Sequence, residues 1–335
     1  MHSQKNYSLL PHNTFGMDVK AKSFLQYDSA ADLQSFIREG SLTPPFLHIG
    51  CGSNLLFTKD YDGVILHSGI HGIEIVHSDP RQVTLRVGAA EIWDNLVEYA
   101  VDQGWYGVEN LSLIPGEVGA AAVQNIGAYG VEAKDVITQV ECVDLHTGQQ
   151  HILSNADCRY GYRQSVFKRE LNGKYAVTHV SLRLHRTRVL HLDYGNIRKA
   201  LPPSQSEYTA RDVRKAIIDI RNQKLPDPKI LGNAGSFFMN PVVSAQKFTT
   251  LQELYPDMPH YDATHGVKIP AGWLIEQCGL KGYVQGNVGV YEKQALVLVN
   301  KGGATPQEVV AMSEKVRTMV KDKFDIDIQP EVIFV

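Results

Sequence analysis

Three glycine-rich bends hold the residues best suited to chemistry in this 335-residue chain. The first, Gly50-Cys51-Gly52-Ser53-Asn54, sits inside an apolar run at 46–57 and would offer backbone N–H and hydroxyl donors to a phosphate. The second, LIPGEVGAAAVQNIGAYG at 113–130, carries a single charge, Glu117, among small residues. Gly116, Gly119, Gly127 and Gly130 let backbone come close to a flat or phosphorylated ligand, because no side chain holds it off. Gln124, Asn125 and Tyr129 are the polar groups there that could orient such a ligand. The third bend, Gly232-Asn-Ala-Gly-Ser-Phe-Phe238, sets Ser236 before two aromatics. An isolated bend of this kind is more often a packed turn than a site; three of them favour a ligand cradle.

Other chemistries fit less well. A nicotinamide-type fingerprint needs G-x-G-x-x-G opening a helix, whereas Gly50-x-Gly52 runs on into extended LLF, so strand–turn–strand is the expectation. His67 and His71 have i,i+4 spacing, but HSGIH follows a strand-like run and contains Gly69. They would not share a helix face, and structural or surface roles are expected. Cys51, Cys142, Cys158 and Cys278 form no C-x-x-C pair, which suits reduced thiols rather than a metal site or an exported disulfide framework. No metal is expected. Ser236 lacks the G-x-S-x-G elbow of a nucleophilic serine.

The elements that must position these bends follow from periodicity. Residues 31–38 and 91–103 read as amphipathic helices, the second with Trp93, Leu96, Val97, Ala100 and Val101 on one face and Gly104 as its stop. Strands are expected at 83–87, at 136–145 and 150–153 as a hairpin, at 175–184, and at 295–299. A helix over 210–222 should end at Lys224-Leu-Pro-Asp-Pro, and a shorter one should start at Pro270. Thr305-Pro-Gln-Glu308 is a capping box opening a further helix. The tail is extended.

Hydrophobic residues at 43%, charged residues at 21% and a formal net charge of −3 describe an ordinary globular chain with no basic footprint for nucleic acid. No apolar run is long enough to span a membrane. The segment MHSQKNYSLLPHNTF lacks the apolar core of a signal peptide, so a cytoplasmic setting is expected.

Five motifs in register, GCGSNLLF, NLSLIPGEVGAAAVQNIGAYG, YRQSVFK, KLPDPKILGNAGSFFMNP and QPEVIF, together resemble the UDP-N-acetylenolpyruvoylglucosamine reductase (MurB) family of bacterial cell-wall precursor synthesis, in its longer, type I form. The resemblance runs from about Asn13 to Phe334. It implies an α+β fold: a two-part FAD-binding domain of the vanillyl-alcohol-oxidase (PCMH) type, then a C-terminal α/β substrate-binding domain. The implied bounds are 1–70, joined by the tail 325–335, for the first FAD-binding part, 71–224 for the second, and 225–324 for the substrate domain. It further implies noncovalent FAD, NADPH as hydride donor, a UDP-N-acetylglucosamine enolpyruvate substrate, and a monomer.

By motif, FAD would contact Gly50, Gly52, Ser53, Asn54, Pro115, Gly116, Gly119, Ala120, Gln124, Asn125, Gly127 and Tyr129. Cys51 and Ala122 depart from the family's usual residues, and a thiol beside a pyrophosphate makes oxidation sensitivity an expectation. Arg163 would grip the substrate carboxylate, Ser236 would donate the proton, and Glu331, protonated or acting through water, would complete the charge stabilisation. Tyr194, on a YGN segment like the family's tyrosine loop, would hold the sugar nucleotide together with Lys224, Asn233, Tyr261, Lys268, Lys281 and Gln294. The alternatives are another FAD-dependent oxidase or dehydrogenase of the same fold, and a catalytically silent flavin-binding protein. The NAGSFF and QPEV pair weighs against the first, and the presence of Arg163, Ser236 and Glu331 against the second.

Overall fold

The computed structural model describes residues 2–203, 207–263 and 265–335. The chain divides into two units built from separated stretches. One takes residues up to Tyr7 with Ala21–Cys51 and Tyr61–Arg221; the other takes Ser8–Lys20, Gly52–Asp60 and Asn222–Val335.

In the first unit, strands Lys20–Tyr27 and Phe46–Ile49 both pair in parallel with Tyr61–Ser68, and His2–Ser8 completes that four-stranded sheet. Parallel neighbours need a crossover, which helix Ala30–Arg38 supplies. Ser29 caps this helix by accepting the Asp32 N–H at 3.0 Å, and Leu33 and Phe36 form its buried face. Val64, Ile65 and Leu66 are buried in succession on the central strand, as expected where both faces of a sheet are covered.

The second sheet of this unit is antiparallel, in the order Gln150–Ser154, Ile137–Asp144, Tyr175–His185, Gln82–Gly88, Ile73–Ser78. Its first two strands are the hairpin read from the sequence. Helix Trp93–Asp102 buries the five residues expected of it, and Gly104 follows at φ 74°, the left-handed stop that glycine takes without a Cβ clash. Asp94 on this helix accepts from Arg214 Nη1 at 2.6 Å and Nη2 at 3.1 Å, tying in helix Ala210–Lys224. Asp94 also accepts the Leu113 N–H at 2.5 Å. The bend at 113–130 therefore starts from an anchored residue.

The second unit has two small antiparallel sheets: Val242–Val243, Gly266–Lys268, Tyr261–Ala263, and Val284–Gln285, Val288–Val290, Leu298–Asn300. Helix Pro306–Phe324 opens with the capping box at Thr305 and Glu308, and its Phe324 packs on Trp273 of helix Ala271–Gln277 at 5.8 Å between centroids. The tail strand Ile333–Phe334 pairs in parallel with Leu55–Leu56, and Thr58 donates its N–H to the Val335 carbonyl at 2.8 Å.

Two local expectations shift. The strand read at 295–299 forms at Leu298–Asn300, because residues 291–297 make a turn closed by Tyr291 N–H to Val297 O and Val297 N–H to Gln294 O. The glycine- and alanine-rich bend contains a helix, Val118–Gln124. Its small residues permit close packing: the Gly119 N–H reaches the Ala89 carbonyl at 2.9 Å.

Candidate active site

In the first unit the cradle is shaped by backbone in the left-handed region, at non-glycine residues as well as glycines. Leu113, Asn125, Tyr129 and Arg163 have φ of 59°, 46°, 49° and 55°. Such angles cost a residue with a side chain free energy, so each needs an anchor. Asn125, fully buried, gives its amide to Glu132 Oε2 and Gly161 O, both at 2.8 Å, and accepts the Lys134 N–H at 3.0 Å. Asn110 donates to Tyr129 O at 3.0 Å and His191 O at 2.8 Å. Arg163 Nη2 donates to Gly127 O at 2.7 Å. Lys168 Nζ reaches Gln124 Oε1 and Arg163 O, each at 3.0 Å.

Below this surface lies Arg221, on helix Ala210–Lys224. Burial holds its guanidinium below the ordinary arginine value, and the nearby Arg163 charge acts in the same direction, while a hydrogen bond with Tyr129 opposes them. Burial pushes the Tyr129 hydroxyl up, with Arg221 pulling it back. The buried Arg221 Nε has no hydrogen-bond partner. A cradle of small residues, three cations and an orphaned buried donor suit an anionic, carbonyl-bearing ligand.

In the second unit Ser236 precedes a junction of three stretches. The Phe237 N–H donates to Leu296 O, and the Glu331 N–H donates to Phe237 O, both at 2.8 Å. Phe238 and Pro330 form an isolated bridge. Ser236 and Glu331 are thereby on neighbouring backbones, with the Gln294 turn on the other side. Asn54 Nδ2 donates to Glu331 O at 3.1 Å, which joins the bend at 52–54 to the same junction. Gly52, at φ 65°, has no room for a Cβ, which would meet the His12 carbonyl.

Comparison with known proteins bears on the family and the fold. Residues 21–154 match a family model described as an FAD binding domain. Residues 227–335 match one described as the C-terminal domain of UDP-N-acetylenolpyruvoylglucosamine reductase. A reductase of that name from Bacteroides fragilis strain YCH46 is 55% identical, covering 99% of this chain and all of its own. One from Chromobacterium violaceum is 49% identical over 96% of each chain. The chain belongs to the UDP-N-acetylenolpyruvoylglucosamine reductase family. The fold agrees too: the crystal structure of the Thermus caldophilus reductase superposes with a TM-score of 0.68 at 21% identity, covering 99% of this chain and 98% of that one.

This reductase thus carries an FAD-binding domain followed by the family's C-terminal domain, in the α+β class expected. Among the residues expected to contact FAD, Gln124, Asn125, Gly127 and Tyr129 cluster with Arg163 in the first unit. The Asn125 amide is taken up entirely by the protein, and its backbone N–H and carbonyl are engaged by Ala121 O and Arg163 Nη1, so Asn125 fixes the shape of the cradle. Gly50 lies against the cradle, where an added Cβ would stand 2.8 Å from Glu117 Oε2 and 3.6 Å from the Ala120 methyl. Gly119 faces Ala89, so it serves packing. Pro115 is exposed, Gly116 is half-buried, and Ser53 is half-buried in the bend with Asn54.

The residues expected to hold substrate are less gathered. Tyr194, 43% exposed, lies over Gly130, where a Cβ would stand 3.2 Å from it. Tyr261 and Lys268 are directly paired across two strands. Gln294 Oε1 accepts the Leu296 N–H at 3.3 Å, beside the stretch that pairs with Phe237. Lys281 is paired with Glu276 at 2.9 Å, and Lys224 is exposed at a helix end. Asn233 is buried and committed to its own loop: its amide donates to Pro226 O and Leu231 O at 3.2 Å and 2.8 Å, and its carbonyl accepts the Gly235 N–H at 2.9 Å. It shapes the third bend.

Sequence reading passed over Arg221, Lys168 and Glu117. A lone arginine at the end of an amphipathic helix carries no local signal of burial. The expected oxidation sensitivity of Cys51 is not supported. Burial and the neighbouring Glu117 carboxylate push its thiol up to about 12, which suppresses the thiolate that reacts. Among the described residues no group of three or more His, Cys, Asp or Glu is arranged to hold a metal ion, and no helix is long and apolar enough to cross a membrane.

Proposed function

We propose that this chain reduces UDP-N-acetylenolpyruvoylglucosamine to UDP-N-acetylmuramate with FAD held noncovalently and NADPH as hydride donor, as a cytoplasmic monomer. The bends at 50–54 and 113–130, with Tyr129 and Arg221, would hold FAD, within a division of 1–70 plus 325–335, 71–224, and 225–324 as the substrate domain. When bound, FAD would supply the hydride-transfer chemistry between NADPH and the vinyl carbon of the enolpyruvyl group.

The protein's own task is to manage the charge that hydride delivery leaves beside a carboxylate. Arg163 suits the carboxylate, since a guanidinium forms paired charge-assisted hydrogen bonds. Glu331 completes the stabilisation in its protonated form or through water, because a bare carboxylate would repel the developing dianion. Ser236 supplies the proton: a hydroxyl is a weak acid, but the carbanion is a far stronger base. Tyr194, Tyr261, Lys268, Lys281, Gln294 and Lys224 serve the diphosphate and sugar, and Asn233 acts through the loop that it fixes.

The observation that supports this reading is the hydrogen bond from the Glu331 N–H to the Phe237 carbonyl, which joins the backbones of the two distant motifs that contain Ser236 and Glu331. The test is anaerobic stopped-flow mixing with NADPH and then with the enolpyruvyl substrate. Flavin absorbance should bleach in the first step and recover in the second. A flavin that NADPH reduces and the enolpyruvyl substrate cannot reoxidise would refute the reading.

A further inference from the structure

One buried carboxylate in the first unit has no part in the chemistry above. Glu117 stands at the N-cap position of helix Val118–Gln124, yet its side chain makes no capping bond to that helix. Its Oε1 instead accepts from Cys51 Sγ at 3.3 Å and lies 3.1 Å from His67 Nε2. Its Oε2 faces Gly50. The Glu117 and His67 side chains are 8% and 13% exposed. Three elements meet at this one group: the bend after strand Phe46–Ile49, strand Tyr61–Ser68, and the start of the cradle helix.

Burying a carboxylate is costly unless its partners compensate, and an apolar residue would fill this space at lower cost. The position therefore gains something other than packing. The groups around it are mutually consistent. Behind His67 stand His48, pushed down to about 3 by burial and the neighbouring His67 charge, and Tyr27, pushed well up by burial. Tyr27 and His48 contact each other at 2.9 Å and stay neutral. The Cys51 thiol and the His67 ring are left as the groups in contact with the carboxylate.

We propose that Glu117 is a positioning residue for the cofactor: through Cys51 and His67 it clasps the bend at 50–51 to the cradle helix in the arrangement that receives FAD, and the same contact keeps Cys51 an unreactive thiol. The inference rests on the FAD site argued above. Without the clasp, the bend must be ordered when FAD binds, and that ordering subtracts from affinity. The glutamine variant is informative, because its amide oxygen still accepts from the thiol while the charge is gone.

The experiment uses the full chain freed of FAD. Flavin fluorescence gives FAD affinity, and iodoacetamide with mass mapping gives the alkylation rate of Cys51 from neutral to alkaline pH. Glu117→Ala should weaken FAD binding by about tenfold or more, the effect of losing a buried charge-assisted hydrogen bond, and should speed Cys51 alkylation at neutral pH. Glu117→Gln should keep affinity within about threefold of the parent, one neutral contact replacing a charged one, while alkylation starts at lower pH. Unchanged affinity or unchanged alkylation in Glu117→Ala overturns the proposal, as does equal loss of affinity in the Gln and Ala variants. Should Glu117→Ala not fold, Cys51→Ser and Cys51→Ala decide: the hydroxyl should preserve FAD affinity and the methyl should not, and equal affinities overturn the clasp. Alkylation is read without cofactor, so a parent protein that takes up no FAD would sink the functional reading while leaving the thiol contrast to judge Glu117 itself.

Discussion

Gly119→Ala separates close packing of the cradle from helix propensity. On propensity alone the change should stabilise helix Val118–Gln124 by up to about 1 kcal/mol. The surroundings forbid it. A Cβ on Gly119 would stand 2.8 Å from the Ala89 methyl, 3.3 Å from the Ala89 carbonyl oxygen and 3.4 Å from its Cα. None of these is the mobile end of a long side chain, so the helix itself must move, and it must do so against the 2.9 Å Gly119–Ala89 hydrogen bond. Overpacking of this kind costs about 1–3 kcal/mol, which leaves a net loss of up to roughly 2 kcal/mol after the propensity gain. The displaced helix begins at Glu117 and ends at Asn125, so FAD affinity should fall alongside stability. Denaturant unfolding of the FAD-free protein, paired with FAD titration, reads both quantities. A variant as stable as the parent with unchanged FAD affinity would falsify the packing argument.

Asp94→Ala leaves the buried Arg214 with only the 3.7 Å contact to the exposed Glu98 and releases the Leu113 N–H. With Asp94 23% exposed, the loss should be about 2–3 kcal/mol, less than for a fully buried pair, and denaturant midpoints no lower than the parent's would refute it. Ser236→Ala should leave flavin reduction by NADPH intact while blocking product formation, and single-turnover mixing that shows both steps lost together would remove Ser236 from proton transfer. Arg86 grips Glu141 through contacts of 2.6 Å and 2.7 Å and, as the leading cause, holds its carboxyl below the ordinary 4.5. A carboxylate depressed in the folded state stabilises above its unfolded pKa and loses that contribution as pH falls through the folded value. Stability should therefore decline on acidification below about pH 4.5, and Glu141→Gln should flatten that decline; an identical acid limb in the variant would count against the pair.

The bends and the long amphipathic helices were legible because their signals are local. Glycine spacing, the Thr305–Glu308 box and the apolar stripe from Trp93 to Val101 each lie within a few turns of chain. Motif order carried the family. What escaped reading depends on distance in the chain. Asn125 looks like a ligand-facing amide until Glu132 and Gly161 are seen to occupy it, and Asn233 likewise serves Pro226 and Leu231. Glu117 reads as a stray charge in an apolar stretch, because His67 and Cys51 are 50 and 66 positions away. The passage of 8–20 and 52–60 into the second unit has no local signature, since it depends on partners near the end of the chain.

The pairing of Ile333–Phe334 with Leu55–Leu56 bears on how the protein is made. A ribosome releases residues 52–60 long before it translates their partner strand, and contacts between such remote segments are slow to form. The second unit therefore closes only once that partner strand has been made, and residues 52–60 must wait for it. In that interval Leu55, Leu56 and Phe57 are an exposed apolar strand of the kind that invites chaperones or aggregation. Expression yield should depend more on the Ile333–Phe334 strand than its two residues suggest.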